Sequence, residues 1–235
     1  EYEDTTGNPL TSGFIGLQKN AGRVAFRNVF LKPLGMAALL DDESGEQWSL
    51  IGGSKCLAEV SEGTVRLTGG PGYFESYDRF GNFVFQTQAL TKDKDTNSGV
   101  FFRAMVGDED KPANGYELQI HNTFANRDRT QPNDYGSGFG TGAIFRRNKA
   151  RWVKPNNGEW FSVTLVAHGP RFAVWIDGYQ VTDIIDTRKS NENPREGLRL
   201  KPGYLSLQPH DEKTDISFRD LQIAPYPAET EKSLD

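Results

Sequence analysis

The chain has 235 residues, 36% hydrophobic and 11% aromatic, and a net charge of -5. That length suits one large domain, or one domain with a fragment beside it. The acidic balance argues against nucleic acid as a partner, and no apolar run reaches the roughly 18 residues a membrane span needs.

Gly and Pro, 25 and 12 in number, are spread along the chain and favour short strands and turns over long helices. Cys56, the single cysteine, has no partner for an internal disulfide and reads as a small buried thiol. The chain opens on Glu1 with neither an initiator Met nor an apolar leader, as a processed or trimmed chain would.

Residues 1–12 are polar and turn-rich. GFIGLQ (13–18) and RVAFRNVFLKPL (23–34) then read as two β-like runs across KNAG, a hairpin signal. The pair returns near the other end as GYLSLQ (203–208) and TDISFRDLQIAPY (214–226). Phe26 aligns with Phe218, Arg27 with Arg219 and Pro33 with Pro225. Residues 1–36 are therefore expected to resemble the closing strands of a preceding repeat, with convergence of two short amphipathic hairpins as the alternative, the main domain at 37–227 and a polar tail at 228–235.

MAALL (36–40) leaves a helical turn open. LAEVSEGTVRLTGG reads as a strand hairpin turning at Glu62-Gly63. GPGYFESYDRFG reads as an aromatic surface loop before a strand at Asn82–Leu90, which puts Phe83, Phe85 and Thr87 on one face. In TKDKDTNSG, the Asp93, Asp95 and Asn97 spacing begins like a calcium loop. Ser98 and Ala104 stand where an EF-hand requires Gly and Glu, so an acidic surface turn is expected, with a looser calcium site as the minority alternative.

The central stretch is NSGVFFRAMV followed by GYELQIHN. Alternation sends Tyr116, Leu118 and Ile120 to one face and Glu117, Gln119 and His121 to the other. A carboxylate, an amide and an imidazole in a row suit a polar ligand, here the floor of a sugar-binding cleft. Arg103 alternates against Phe102 and is expected on the polar side. A long Gly-rich segment follows, and loops of that length are usually functional. Its GSGFGTG lacks the Lys-Ser/Thr of a phosphate loop, which discards nucleotide binding. Arg146, Arg147, Lys149 and Arg151 are offered to a hydroxyl-rich or anionic ligand, or else decorate a solvated hairpin. WFSVTLVAHG and RFAVWIDGYQV form a hairpin across Gly169-Pro170. Trp175 is placed on its non-core face, as a sugar-stacking platform or as cover for the second sheet. TRKSNENPREGLRLKPG is a second long polar loop, and beyond it Gln208 and His210 alternate with Leu205 and Leu207. About a dozen short strands without an amphipathic helix imply an all-β fold of two packed antiparallel sheets.

At NSGVFFR, GYELQIHN, WIDG and GYLSLQPH…SFRDLQI the sequence resembles the 3-keto-disaccharide hydrolase family of the concanavalin A-like lectin/glucanase superfamily, across roughly residues 37–227. The resemblance implies a concanavalin-like jelly-roll β-sandwich, a saccharide substrate, cleavage of glycosides oxidised at C3, and a secreted or periplasmic location. Many family members carry Asp where this chain has Asn122, and an apolar residue where it has His121.

Jelly-roll glucanases similar to this fold alternate two carboxylates on one strand. Here that row holds only Glu117, so two-carboxylate hydrolysis lacks a partner on the strand. A 3-keto sugar changes the demand, because its ketone acidifies the C2 hydrogen and one base then starts an elimination. Glu117 or His121 is the expected base and His210 the acid. Arg103 or Gln119 is expected to hold the ketone oxygen, with Trp175, Gln208 and Arg146 as further substrate contacts. No cofactor is required. A divalent cation on the ketone is the minority option, and Glu117 and His121, roughly 13 Å apart along a strand, are too distant to share one. Two other classes compete, namely a non-catalytic carbohydrate-binding domain and an ordinary glycosidase.

Overall fold

A computed structural model describes residues 15–26, 29, 35–40, 45–106, 114–123 and 138–225. The chain divides into two units, Glu1–Lys32 and Pro33–Asp235.

In the first unit no described residue joins a strand, and Ile15, Leu17, Val24 and Phe26 are exposed. The hairpin expected there is not formed across residues 15–26. An isolated two-stranded hairpin is marginal in water. Arg27 and Pro33, which anchor the internal similarity, lie outside the described residues.

The second unit contains thirteen strands and no helix among its described residues. MAALL opens with strand β1 (Ala37–Ala38) instead of a helical turn, and Leu39 and Leu40 are buried behind it. The Leu39 carbonyl accepts the indole N–H of Trp48, at the start of β2 (Trp48–Leu50), at 2.6 Å. β3 (Cys56–Ser61) and β4 (Thr64–Gly69) are joined by Glu62 and Gly63, with φ of 49° and 68°. Two successive left-handed residues give a turn whose twist matches that of the strands it joins.

The expected aromatic loop is instead a strand, β5 (Phe74–Phe80). Phe74 stacks on Trp48 at 5.6 Å and Tyr73 is buried, so two of the aromatics that suggested a surface loop are packing residues. There follow β6 (Phe83–Thr91), β7 (Ser98–Ala104), β8 (Tyr116–Ile120), β9 (Phe161–His168) and β10 (Arg171–Ile176). β11 (Tyr179–Ile185), β12 (Gly203–Pro209) and β13 (Asp215–Pro225) complete the set.

All pairings between these strands are antiparallel. One sheet has the order β11-β10-β9-β6-β13-β4-β3, with β1 also beside β13, and the other the order β2-β5-β12-β7-β8. The eight-stranded sheet turns Phe83, Phe85, Phe172 and Val174 inward, and the five-stranded sheet answers with Val100, Phe102, Leu118, Leu205 and Leu207, all fully buried. Phe102 stacks on Tyr116 at 5.3 Å and meets Phe172 edge-on at 5.2 Å, which ties the two layers together. Burying each such side chain stabilises the fold by about 1.5–3 kcal/mol. This is the jelly-roll β-sandwich expected from the strand pattern. Because side chains alternate, the residues between those core positions on β12, β7 and β8 face away from the core.

Candidate functional site

Antiparallel partners share a face, so register places the polar side chains. Glu75 on β5 stands opposite Ser206 on β12, Ser206 opposite Phe101 on β7, and Phe101 opposite Glu117 on β8. One row thus crosses the outer face of the five-stranded sheet from one glutamate to another. The next row is Gln208, Gly99 and Gln119. Tyr73 joins it, its hydroxyl accepting the Gln208 side-chain amide at 3.0 Å. Past the strand ends come His210 and His121. The His210 backbone N–H reaches the Asn97 carbonyl at 3.3 Å, and the His210 ring Nδ1 lies 3.0 Å from Asp211 Oδ2.

Glu117 is only 5% exposed, and its Oε2 accepts from Arg195 Nη2 at 3.1 Å. The Arg195 guanidinium also covers the rings of Phe101 and Phe145 at 5.3 and 5.8 Å. Arg195 arrives on the polar loop between β11 and β12, which Arg188 clamps. Arg188 donates to both oxygens of Asp186, at 2.9 and 2.7 Å, and to the carbonyls of Pro194 and Gly197. Asp186 accepts the Tyr116 hydroxyl at 2.8 Å. Burial pushes the Asp186 carboxyl up, but its bonds from Arg188 and Tyr116 outweigh that and hold it below its ordinary value.

Gly99 makes room for Glu117. A Cβ there would lie 3.0 Å from Glu117 Cγ and 3.1 Å from its Oε1. The glutamate therefore leans across β7, toward the centre of the face.

Burial pushes the Glu117 carboxyl above its ordinary value. The Arg195 charge and hydrogen bond oppose the rise, and so do the charges of His210 and Arg146. Burial lowers His121, against the pull of Asp95 and with a push from His210. Burial raises Tyr73, which the Gln208 hydrogen bond opposes, and Tyr73 also feels the charges of Glu117 and Arg195. Glu75 is pushed up to about 7 by burial, with Arg79 opposing. Glu117, His121, His210 and Tyr73 thus act on one another electrostatically, while Glu75 answers to Arg79.

Of the residues expected from sequence, Glu117, Gln119, His121, Gln208 and His210 share this face, and Arg146 acts on Glu117 from beside Phe145. Arg103 does not. Phe102 and Arg103 together stand opposite Leu205 alone, because Phe101 pairs with Ser206 and Ala104 with Tyr204. This bulge, with Arg103 at a φ of 47°, breaks the alternation and turns the guanidinium to the core ring of Phe172, at 5.3 Å. There it donates to the carbonyls of Gly81, Gly169 and Arg199 and to Asn82 Oδ1, at 2.8–3.1 Å. Burial lowers it to about 10, so it is charged at neutral pH, but it is fully buried and belongs to the scaffold.

Trp175 does not join the site either. It lies on β10 opposite Thr164 and Gln180, with Val174 and Ile176 beside it pointing to the core, so it faces out from the other sheet. Gln119 is on the right face, but its amide N–H groups are given to Asn97 Oδ1 and the Ser98 carbonyl at 2.7 and 3.2 Å. What it offers outward is an acceptor, which cannot steady an enolate oxygen. Asn122 is held by Thr91, Asn157 and Thr141 in a buried cluster of its own. In the acidic turn, Asp93 Oδ1 accepts the Asp95 backbone N–H at 2.9 Å, and Asp95 pairs with Lys94.

Sequence reasoning missed Glu75, Tyr73, Ser206 and Arg195. Period-two alternation of Phe74 and Ser76 against Glu75 and Tyr77 was the available signal for the first. Nothing local signals Arg195, which is brought to Glu117 by tertiary contacts alone.

A model of the 3-keto-alpha-glucoside-1,2-lyase-like domain matches residues 35–224. No curated protein matches the chain in sequence. Among solved structures it is similar to three proteins of Parabacteroides distasonis ATCC 8503, each provisionally assigned as a glycosyl hydrolase. The first has a TM-score of 0.65 at 17% identity, over 82% of this chain and 94% of that one. The second has 0.62 at 20%, over 81% and 99%. The third has 0.58 at 19%, over 83% and 85%. At these identities the likeness shows the fold. The family match itself runs from before β1 to the penultimate residue of β13, through every strand that carries the site, and the chain belongs to the carbohydrate-active family of 3-keto-alpha-glucoside-1,2-lyase-like domains.

Proposed function

We propose that this chain cleaves the glycosidic bond of 3-keto-glycosides, with Glu117 as the base. The observation that carries this reading is the isolation of Glu117 in its row. Glu75, the other glutamate there, is three strands away, with Ser206 and Phe101 between. That is about 14 Å between backbones. Two-carboxylate glycosidases instead hold their acids about 5–5.5 Å or about 6.5–9.5 Å apart.

A ketone at C3 removes the need for the second carboxylate. Glu117 takes the C2 proton, and the electron pair moves into the C2–C3 bond while the C3 oxygen becomes an enolate. The electrons then return, the C1–O bond breaks with its pair on the leaving oxygen, and an acid protonates that oxygen. Water adds across the resulting double bond, returning a proton to C2. A base raised above its ordinary value by burial, yet kept ionisable by Arg195, suits proton abstraction. The Tyr73 hydroxyl, which bears on Glu117, holds the C3 oxygen. His210, oriented by Asp211, is the acid.

The test is incubation with a 3-keto-glucoside and with its unoxidised parent in deuterated water. Release of 3-keto-glucose labelled at C2, from the keto substrate alone, is expected. Turnover of neither, with measurable binding of plain oligosaccharide, would replace this reading by that of a carbohydrate-binding domain.

A further inference from the structure

Four buried side-chain atoms among the described residues have no hydrogen-bond partner, and three fall in one place. They are Glu75 Oε2, Ser206 Oγ and Gln208 Oε1. Glu75 and Ser206 are cross-strand partners, and Gln208 is the next residue of β12 on that face. Buried polar atoms are normally paired, so a cluster of unpaired ones marks where a partner from outside the chain binds. Ser206 is 2% exposed and Gln208 7%, while Glu75 is more open and forms the rim.

We propose that Glu75, Ser206 and Gln208 form a second saccharide subsite, which holds the leaving-group sugar while the 3-keto ring lies over Glu117. The assignment to the leaving group rests on the reading of Glu117 as the base. The site's chemistry selects a neutral polyol. A serine hydroxyl donates and accepts, an amide oxygen accepts, and a carboxyl raised to about 7 is found in both forms near neutrality. Vicinal sugar hydroxyls, each both donor and acceptor, match that set. Tyr73 joins the two ends, its hydroxyl bonded to Gln208 and its ionisation opposed by the charge of Glu117. The three-strand span between the glutamates is one that a disaccharide bridges and a single ring does not.

The experiment compares wild type with Ser206→Ala and Glu75→Gln on two substrates, a 3-keto-glucosyl-glucose disaccharide and methyl 3-keto-glucoside; Gln208 is left in place because its amide also positions Tyr73. Each variant is expected to raise KM for the disaccharide about tenfold, the worth of one hydrogen bond. The methyl glycoside, which has no second sugar, should be turned over unchanged. Equal effects on both substrates, or none on either, overturn the subsite. If wild type cleaves neither, the reading of Glu117 fails separately, and calorimetry with the unoxidised disaccharide decides. Weaker binding by Ser206→Ala than by wild type then supports the subsite, and equal binding or none overturns it. Thermal melts of both variants identify any that fails to fold, and near-isosteric Glu75→Gln keeps the comparison usable.

Discussion

Arg195 Nη2 lies 3.1 Å from Glu117 Oε2, joining residues 78 positions apart in the chain. A carboxylate this buried would favour its neutral form, and Arg195 supplies the largest opposing influence. The pair sets how much of Glu117 is ionised at neutral pH, and so how much is available as a base.

Glu117→Gln is expected to lower kcat by about 10²–10⁴-fold, the usual worth of a general base, with the melting temperature kept. Arg195→Ala removes the opposing charge, so the pKa of Glu117 rises further. The acidic limb of the kcat/KM profile then moves to higher pH, and Arg195→Lys recovers part of the shift. A pH–rate profile of the three variants checks this, and an unmoved limb would separate Arg195 from Glu117 function.

Gly99→Ala puts a methyl group 3.0 Å from Glu117 Cγ. The glutamate must tilt off β7, with turnover expected to fall about tenfold and stability by about 1–2 kcal/mol. Paired kinetics and urea melts read the two effects, and loss of stability without loss of turnover would show that the glutamate's tilt is immaterial.

Arg103→Ala deletes four hydrogen bonds that bind β7 to three separate loops. Urea unfolding should show a loss of about 3–5 kcal/mol. Arg103→Lys should rescue little of it, since an ammonium lacks the guanidinium fork. Trp175→Ala, on the far sheet, should leave KM and kcat unchanged in the keto-glucoside assay.

Glu75 predicts a pH dependence of stability. Its folded value, about 7, lies above the ordinary 4.5, so folding favours its protonated form. That contribution is present below about pH 4.5 and is lost as pH rises toward about 7. Glu75→Gln should therefore be more stable than wild type at pH 8, by about 1–2 kcal/mol after allowance for its partial exposure. Asp186 acts with the opposite sign, because its folded value lies below the ordinary one and its contribution is lost as pH falls. Urea midpoints from pH 4 to 8 for both proteins test the sign for Glu75, and parallel curves would refute it.

Alternation along a strand is a local property, and it was legible. It assigned Tyr116, Leu118 and Ile120 to the core and Glu117 and Gln119 to the opposite face. It likewise separated Leu205 and Leu207 from Gln208, and Phe172, Val174 and Ile176 from Trp175. The same rule misled at Arg103, where one extra residue in β7 inverts the face, and bulges leave no reliable mark in composition. It was not applied at Phe74–Phe80, where an aromatic run with polar neighbours passed for a loop.

The all-β class and the polar side of β8 were thus written in the chain itself, because both depend on neighbours one or two residues away. Only the tertiary structure decided which strands lie side by side. That choice put Glu75 in a row with Glu117, seated Arg195 on Glu117, and sent Trp175 to the other sheet. Strand order and loop docking are settled by burial and hydrogen bonding between segments far apart in the chain, and no local pattern encodes them.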